Sequence, residues 1–355
     1  LTSEYKVLKL VYETARKANP NIILVGGGGG FTSEPILFSR MTGVDYAVIG
    51  EGEITNCELC EVIEGRKKAS EVLGLVYRVS DGEYIATEPR KPVENVDTLP
   101  FPSYEGLNME AYLERQEVEG WYNYYGYYDD NPRLMPMMLS RSCPYRCSFC
   151  FHPMGNKYRG RSLDNFFEEL DMWVEKYHIN GIALVDECFS VNHEKVLEFC
   201  RRIKPYHLSW ACQMRAETYT DTIIEAMKDA GCIGACFGIE SMSDVVLENM
   251  QKHLKRETIE MALQTAYKYQ VGCSGNLIFG AETETFATMW DSLKWCQQHT
   301  DQFGTQPITN FGYIQTYPGS RYYQNACKNG RIPDKEAFIE NGHNPDRLSN
   351  LNKWK

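Results

Sequence analysis

Between residues 134 and 316, short apolar segments alternate with amphipathic ones, and no hairpin turn interrupts the series. The apolar runs are Leu134–Leu139, Gly181–Val185, Leu208–Cys212, Ile233–Ile239, Cys273–Phe279 and Asn310–Thr316. Between them the spacing predicts helices. The first is capped by Ser162, with Leu163, Phe166, Phe167, Leu170, Trp173, Val174 and Tyr177 on one stripe. Others follow near 193–203, 221–230, 243–250, 256–269 and 285–298. Strands separated by helices pair through crossovers, so the pattern predicts a parallel sheet, open or partly closed as a barrel. In such sheets chemistry gathers at the carboxyl ends of the strands.

The carboxyl end of the first strand carries the run Ser140-Arg141-Ser142-Cys143-Pro144-Tyr145-Arg146-Cys147-Ser148-Phe149-Cys150-Phe151-His152. Three thiolates at CxxxCxxC spacing can hold one face of an iron–sulfur cube and leave its fourth iron open to a small molecule. With His152 the same thiols could instead form a Cys3His zinc site.

The N-terminal third is a smaller α/β pattern. A helix over 3–18 is ended by Pro20-Asn21, and a buried strand Ile22–Val25 leads into five glycines, Gly26 to Gly30. A second strand over Asp45–Ile49 ends in Gly50-Glu51-Gly52-Glu53, and a helix runs from Thr55 to Ile63. This order is that of a doubly wound domain. Segments 73–79 and 83–88 read as a hairpin around Asp81-Gly82, followed by a connector with Pro89, Pro92, Pro100 and Pro102. The aromatic segment 121–128 reads as domain packing or as a pocket wall.

Composition narrows the partners. A net charge of −11 argues against nucleic acid or an anionic membrane as the main one. No apolar run approaches the roughly 20 residues of a membrane span, and no signal peptide opens the chain. Thirteen cysteines, an odd number, fit free thiols in a reducing cytoplasm better than a disulfide framework. Cys200, Cys236 and Cys296 read as small buried hydrophobes. The Cys57/Cys60 and Cys232/Cys236 pairs have no second pair to complete a metal site. The chain begins at Leu1 within a predicted helix, and reads as a piece of a longer one.

Taken with the cysteine loop, five later segments make the chain resemble the radical S-adenosylmethionine (SAM) enzymes, in the branch with an N-terminal cobalamin-binding domain. They are Val185–Phe189, Met214–Glu217, Phe237–Ser241, Leu277–Thr285 and Tyr317–Ser320, each at a predicted strand end. The resemblance implies an α/β fold: a partial (β/α)6 barrel over 133–320, preceded by a partial doubly wound cobalamin-binding-like domain over 1–70. A hairpin and linker over 71–132 would join them, and 321–355 would be an incomplete C-terminal extension.

The resemblance also implies roles. Cys143, Cys147 and Cys150 would hold a 4Fe–4S cluster whose open iron is chelated by SAM. Phe149 would stack under the adenine, and Asp186 and Glu187 would accept from the methionine amino group, although the glycines of the usual motif are missing. Glu240 and Asn276 would bond the ribose, Arg215 or Lys252 would meet the carboxylate, and Gly280 would admit the nucleoside. Glu282 stands where the family usually has Pro. Gly26, Gly27, Gly50 and Glu51 would face cobalamin, although the Asp-x-His-x-x-Gly segment of that domain is absent and no histidine precedes His152.

The activity implied is cobalamin-linked methyl transfer to an unactivated carbon of a small metabolite, driven by a 5′-deoxyadenosyl radical and a low-potential donor such as flavodoxin or ferredoxin. A cyclase or rearrangement enzyme, a tRNA methylthiotransferase, and a non-catalytic iron–sulfur or zinc scaffold stay open as alternatives. Arg159 and Arg161 read as an anion contact or as ion pairs.

Overall fold

The computed structural model describes residues 5–116, 131–273, 275–303 and 308–341; the aromatic segment 121–128 lies outside them. The N-terminal unit starts with α1 (Tyr5–Ala18), β1 (Val25–Gly26), α2 (Gly29–Ser33), α3 (Pro35–Thr42), β2 (Tyr46–Val48) and α4 (Glu53–Ile63). Helix α1 lays Tyr5, Leu8, Tyr12 and Ala15 on a core containing Phe31, Phe38, Val44 and Ala47. The strand expected over 22–25 shrinks to Val25–Gly26 because the Asp45 carboxylate takes the Leu24 amide at 2.8 Å. The glycine run is only partly a loop. It turns helical at Gly29 so that Phe31 packs edge-on against Phe38, with ring centroids 4.9 Å apart.

The hairpin forms as expected from β3 (Leu75–Ser80) and β4 (Glu83–Ala86), but not as part of a linker. It completes a sheet of order β1-β2-β3-β4, with β3 antiparallel to β2. That sheet crosses the boundary expected at residue 70. Val76 and Tyr84 are buried in the core shared with α1, so the N-terminal unit extends through the hairpin.

The connector then reaches α5 (Met109–Leu113), whose Met109 and Leu113 are buried in the barrel core. The barrel begins with β5 (Leu134–Met137), followed by β6 (Ser140–Arg141) and β7 (Arg159–Gly160), a short antiparallel pair that closes the cysteine loop at its neck. Sequence pattern gave no hint of that pair, since two-residue strands carry no periodicity.

The remaining elements follow the expected alternation: α6 (Leu163–Tyr177), β8 (Gly181–Leu184), α7 (His193–Ile203), β9 (Ser209–Gln213), α8 (Asp221–Asp229), β10 (Cys232–Cys236), α9 (Asp244–Asn249), α10 (Arg256–Lys268), β11 (Gly275–Phe279), α11 (Phe286–Phe303) and β12 (Ile308–Tyr313). Strands β5, β8, β9 and β10 are parallel neighbours, as are β11 and β12. Parallel bridges Gly234–Gly272 and Glu240–Leu277 join the two sets, giving six strands in the order of a partial (β/α)6 barrel.

Between strands and helices, Trp210 packs edge-on against Phe199 at 5.2 Å and donates to Ala230 O at 2.8 Å. Cys200, Cys212, Cys232, Cys273 and Cys296 are buried in this layer. The last helices are α12 (Arg321–Lys328) and α13 (Lys335–Glu340). Ile339 of α13 joins the N-terminal core, and Arg40 meets Glu336 at 2.8 Å, so the C-terminal extension straps the N-terminal unit.

Candidate active site

A cavity of about 700 Å³ opens at the carboxyl ends of the barrel strands. Cys143, Cys147 and Cys150 line it together with Phe149, Glu187, Arg215, Glu240, Lys252 and Asn276. Residues more than a hundred positions apart thus meet because each follows or lies on a barrel strand. Asp186 and Gly280, placed at the same site by the sequence reading, are not among its lining residues.

The loop that carries the cysteines is held at several points. Ser142 takes a left-handed conformation (φ 67°) that turns the chain into Cys143. The Ser148 amide donates to Met250 O at 2.9 Å, and Tyr322 N donates to Ser148 O at 3.1 Å. Asp186 works here too. Its buried carboxylate accepts from Leu139 N at 3.0 Å and from the Ser140 hydroxyl. Its oxygens anchor the strand before the cysteines. Burial raises its pKa, against the pull of those hydrogen bonds.

All three cysteines are free thiols. The Cys147 thiol, hydrogen-bonded by Cys150, is lowered to about 6, with Lys252 and Arg215 adding favourable charge, while Cys150 is raised. Cys143 is lowered to about 7, chiefly by a hydrogen bond from Cys188, a fourth thiol in the cavity wall. Among the described residues, no three of His, Cys, Asp or Glu converge as one metal ion requires. In an iron–sulfur cube each thiolate meets its own iron. Two readily ionised thiols opening onto one cavity are the donor chemistry such a cluster needs.

Glu187 does line the cavity, but its Oε2 lies 2.5 Å from Nδ1 of His152. That bond raises the His152 pKa, and its Nε2 is buried without a partner. The two residues are 35 positions apart in sequence, and only folding pairs them.

Also in the cavity lining, Lys252 Nζ lies 2.8 Å from Glu240 Oε1. Burial lowers the Lys252 pKa, but Glu240 and Cys147 together outweigh it and the net shift is upward. Glu240 has φ 65° and its backbone stitches β10 to β11, its amide donating to Asn276 O at 2.7 Å. Arg215 stacks on Tyr145 at 3.8 Å, pairs with Glu217 and donates to Lys252 O at 2.7 Å. Both candidate cations are therefore neutralised within the site.

Phe149 sits in an apolar patch with Val246, Met250, Ala281 and Ile314. Gly280 (φ 100°) lies beside a separate small cleft with Thr316 and Tyr322, and its amide is bonded by Glu284. Cys236, read as core, instead lines the cavity, as do Gln213 and Asn310. Cys57 and Cys60 are exposed thiols on α4.

The N-terminal loops face this cavity's rim. A Cβ on Gly29 would lie 3.9 Å from the Phe151 ring, and one on Gly50 4.0 Å from Pro153 O. Gly26 has a packing reason of its own, since a Cβ there would fall 2.2 Å from the Phe31 ring; Gly27 is nearly open. Glu51 is engaged by Arg159 at 2.7 Å and Arg141 at 3.1 Å, so its carboxylate serves the interface. Arg161 pairs with Glu169, and both arginines are ion-paired.

A parallel partial barrel whose first strand ends in a three-cysteine loop over a cavity is the arrangement expected of the radical SAM class. The chain belongs to the radical SAM superfamily. Its family model matches residues 137–296. The chain is 30% identical over 327 residues to an uncharacterized methyltransferase, PH0819, of Pyrococcus horikoshii, covering 91% of this chain and 67% of that one. It is 24% identical to the anaerobic magnesium-protoporphyrin IX monomethyl ester cyclase of Rubrivivax gelatinosus, covering 92% and 57%. In structure it resembles the radical SAM methyltransferase TsrM from Kitasatospora setae, with a TM-score of 0.70, 18% identity, and coverage of 91% and 62%. The cobalamin-dependent SAM radical enzyme OxsB gives a TM-score of 0.67 at 18% identity, covering 95% and 46%. The chain thus spans between about half and two thirds of the relatives it matches. Among the described residues no helix is long and apolar enough to cross a membrane.

Proposed function

We propose that this chain is the catalytic part of a cobalamin-linked radical SAM methyltransferase acting on an unactivated carbon of a small metabolite. One observation carries the reading. Cys143, Cys147 and Cys150 open onto the cavity that also holds Glu240, Lys252, Arg215 and Asn276, and the glycine loops of a doubly wound unit meet its rim. Methyltransferases among the relatives support it.

In this reading Cys143, Cys147 and Cys150 would hold a 4Fe–4S cluster, which would supply the electron for reductive cleavage of SAM. Phe149 gives the adenine an apolar face, and Glu240 and Asn276 bond its ribose. Lys252 and Arg215, each already balanced by a carboxylate, hold the methionine end without leaving a bare buried charge. Cobalamin in the rim formed by Gly27–Gly29 and Gly50 would supply the methyl group. An electron donor of low potential, such as flavodoxin or ferredoxin, completes the cycle.

The test is anaerobic reconstitution. Dithionite-reduced protein is expected to convert SAM to 5′-deoxyadenosine, and Cys147→Ala to abolish this, while Cys57→Ala retains it. SAM left intact by fully loaded protein would reject the enzyme reading. Cobalamin retention, read from the visible spectrum, tests the methyl-transfer half. A loaded enzyme that binds no corrinoid but closes a ring favours the cyclase alternative, which the Rubrivivax relative makes specific.

A further inference from the structure

The neck of the cysteine loop poses an electrostatic problem that the N-terminal unit solves. In the β6–β7 pair, Arg141 stands directly opposite Arg159. Like charges facing each other across a strand pair push the strands apart. Glu51, from the other unit, lies between them, at 3.1 Å from Arg141 and 2.7 Å from Arg159. The Arg159 and Glu51 side chains are only 3% and 5% exposed.

Arg159 uses the rest of its guanidinium on three more segments. It donates to Val93 O of the connector at 2.7 Å, to Ser142 Oγ at 3.4 Å and to Met154 O at 3.3 Å. Ser142 and Met154 are the two ends of the cysteine loop, bonded to each other at 3.1 Å. Val93 N in turn donates to Glu51 at 2.7 Å. The planar fork of an arginine makes such a multi-point junction; a lysine ammonium does not.

We propose that Arg159 is a positioning residue that couples the cysteine loop to the Gly50–Glu53 loop, so that ordering one orders the other. Neither the sequence motifs nor the family's cluster chemistry assigns it this role. The part of the proposal that concerns cluster loading rests on the reading of the three cysteines given above.

Hydrogen–deuterium exchange on the whole chain tests it, following peptides that span 48–56 and 142–154. In cluster-free protein, Arg159→Gln is expected to speed exchange in both peptides together, by about tenfold, because both lose the same buried partner. Arg159→Lys, which keeps the charge but not the fork, falls between. Arg161→Gln breaks a comparably buried pair with Glu169 two residues away, and leaves 48–56 unchanged. In reconstituted wild type, cluster loading slows exchange in 48–56 as well as in 142–154; in Arg159→Gln it slows only 142–154. The proposal is overturned if Arg159→Gln leaves 48–56 unaffected, if Arg161→Gln disturbs it equally, or if loading still protects it in Arg159→Gln. A wild type that takes up no iron and sulfide defeats the cluster reading instead, and the cluster-free comparison still decides the coupling.

Discussion

Lys252 and Glu240 form a buried ion pair of 2.8 Å that packs over Gly238, where there is no side chain. A Cβ on Gly238 would fall 1.9 Å from the Glu240 carboxylate and 2.7 Å from the Lys252 ammonium. The pair is 12 residues apart in sequence and is presented from two directions. Glu240 sits at a left-handed backbone position, and Lys252 lies between two more, Gln251 (φ 54°) and His253 (φ 52°). Backbone strain of this kind concentrates where a site must be shaped.

Gly238→Ala should therefore separate the pair without touching the cysteines. Breaking a buried ion pair costs about 3 kcal/mol or more, so thermal unfolding shifts down. SAM cleavage should fall at least tenfold while iron content per chain is kept. Iron analysis and 5′-deoxyadenosine formation measured on the same sample check this.

Asp186→Ala should act on the cluster rather than on SAM. The Leu139 amide and the Ser140 hydroxyl lose their buried acceptor, at about 1–3 kcal/mol for an unsatisfied group. The expected result is poorer cluster loading, with an unchanged KM for SAM in the loaded fraction. A raised KM at full loading would return Asp186 to the methionine amino group.

Gly319→Ala should disturb the rim. Residue 319 has φ 92°, and a Cβ there would fall 2.4 Å from the Phe151 ring. A non-glycine residue at such a φ costs about 1 kcal/mol before any clash. Phe151 must then leave its place beside Gly29. Lower Tm and weaker corrinoid retention, with Gly330→Ala (φ 70°, open space) as the comparison, test this.

Stability should decline from acid toward neutral pH through Glu284. Burial pushes its carboxyl up from the ordinary 4.5 to about 7. Between these values the folded protein holds a proton that the unfolded chain has released, so stability falls as pH rises through the window. The full effect is about 3 kcal/mol. Denaturant unfolding from pH 4.5 to 7.5 measures it, and Glu284→Gln should flatten the curve.

The strands and helices of the barrel were legible because they are long enough to show period. Leu163 to Tyr177 displays its stripe and its Ser162 cap, and the structure forms α6 over the same residues. The cysteine spacing was legible because one loop carries all three ligands. Less could be read where contacts cross the sequence. Asp186 and Glu187 look alike on a strand end, yet one binds backbone and the other His152. Glu51 lies in a glycine-rich loop that suggested a cofactor, and its two arginine partners are more than 85 residues away. Cys236 and Cys200 share apolar surroundings in sequence, but one lines the cavity and the other packs in the core.

Local pattern alone determined the parallel α/β architecture, the place of the cysteine loop at a strand end, and the glycine-bearing N-terminal unit. These follow from periodicity, capping and spacing, which act over a few residues. Tertiary structure decided which acid meets which base, that the hairpin belongs to the N-terminal sheet, and that two arginines at the loop neck share one glutamate. Those outcomes depend on distances between segments that no local rule encodes, because side chains settle their charges only after the strands have brought them together.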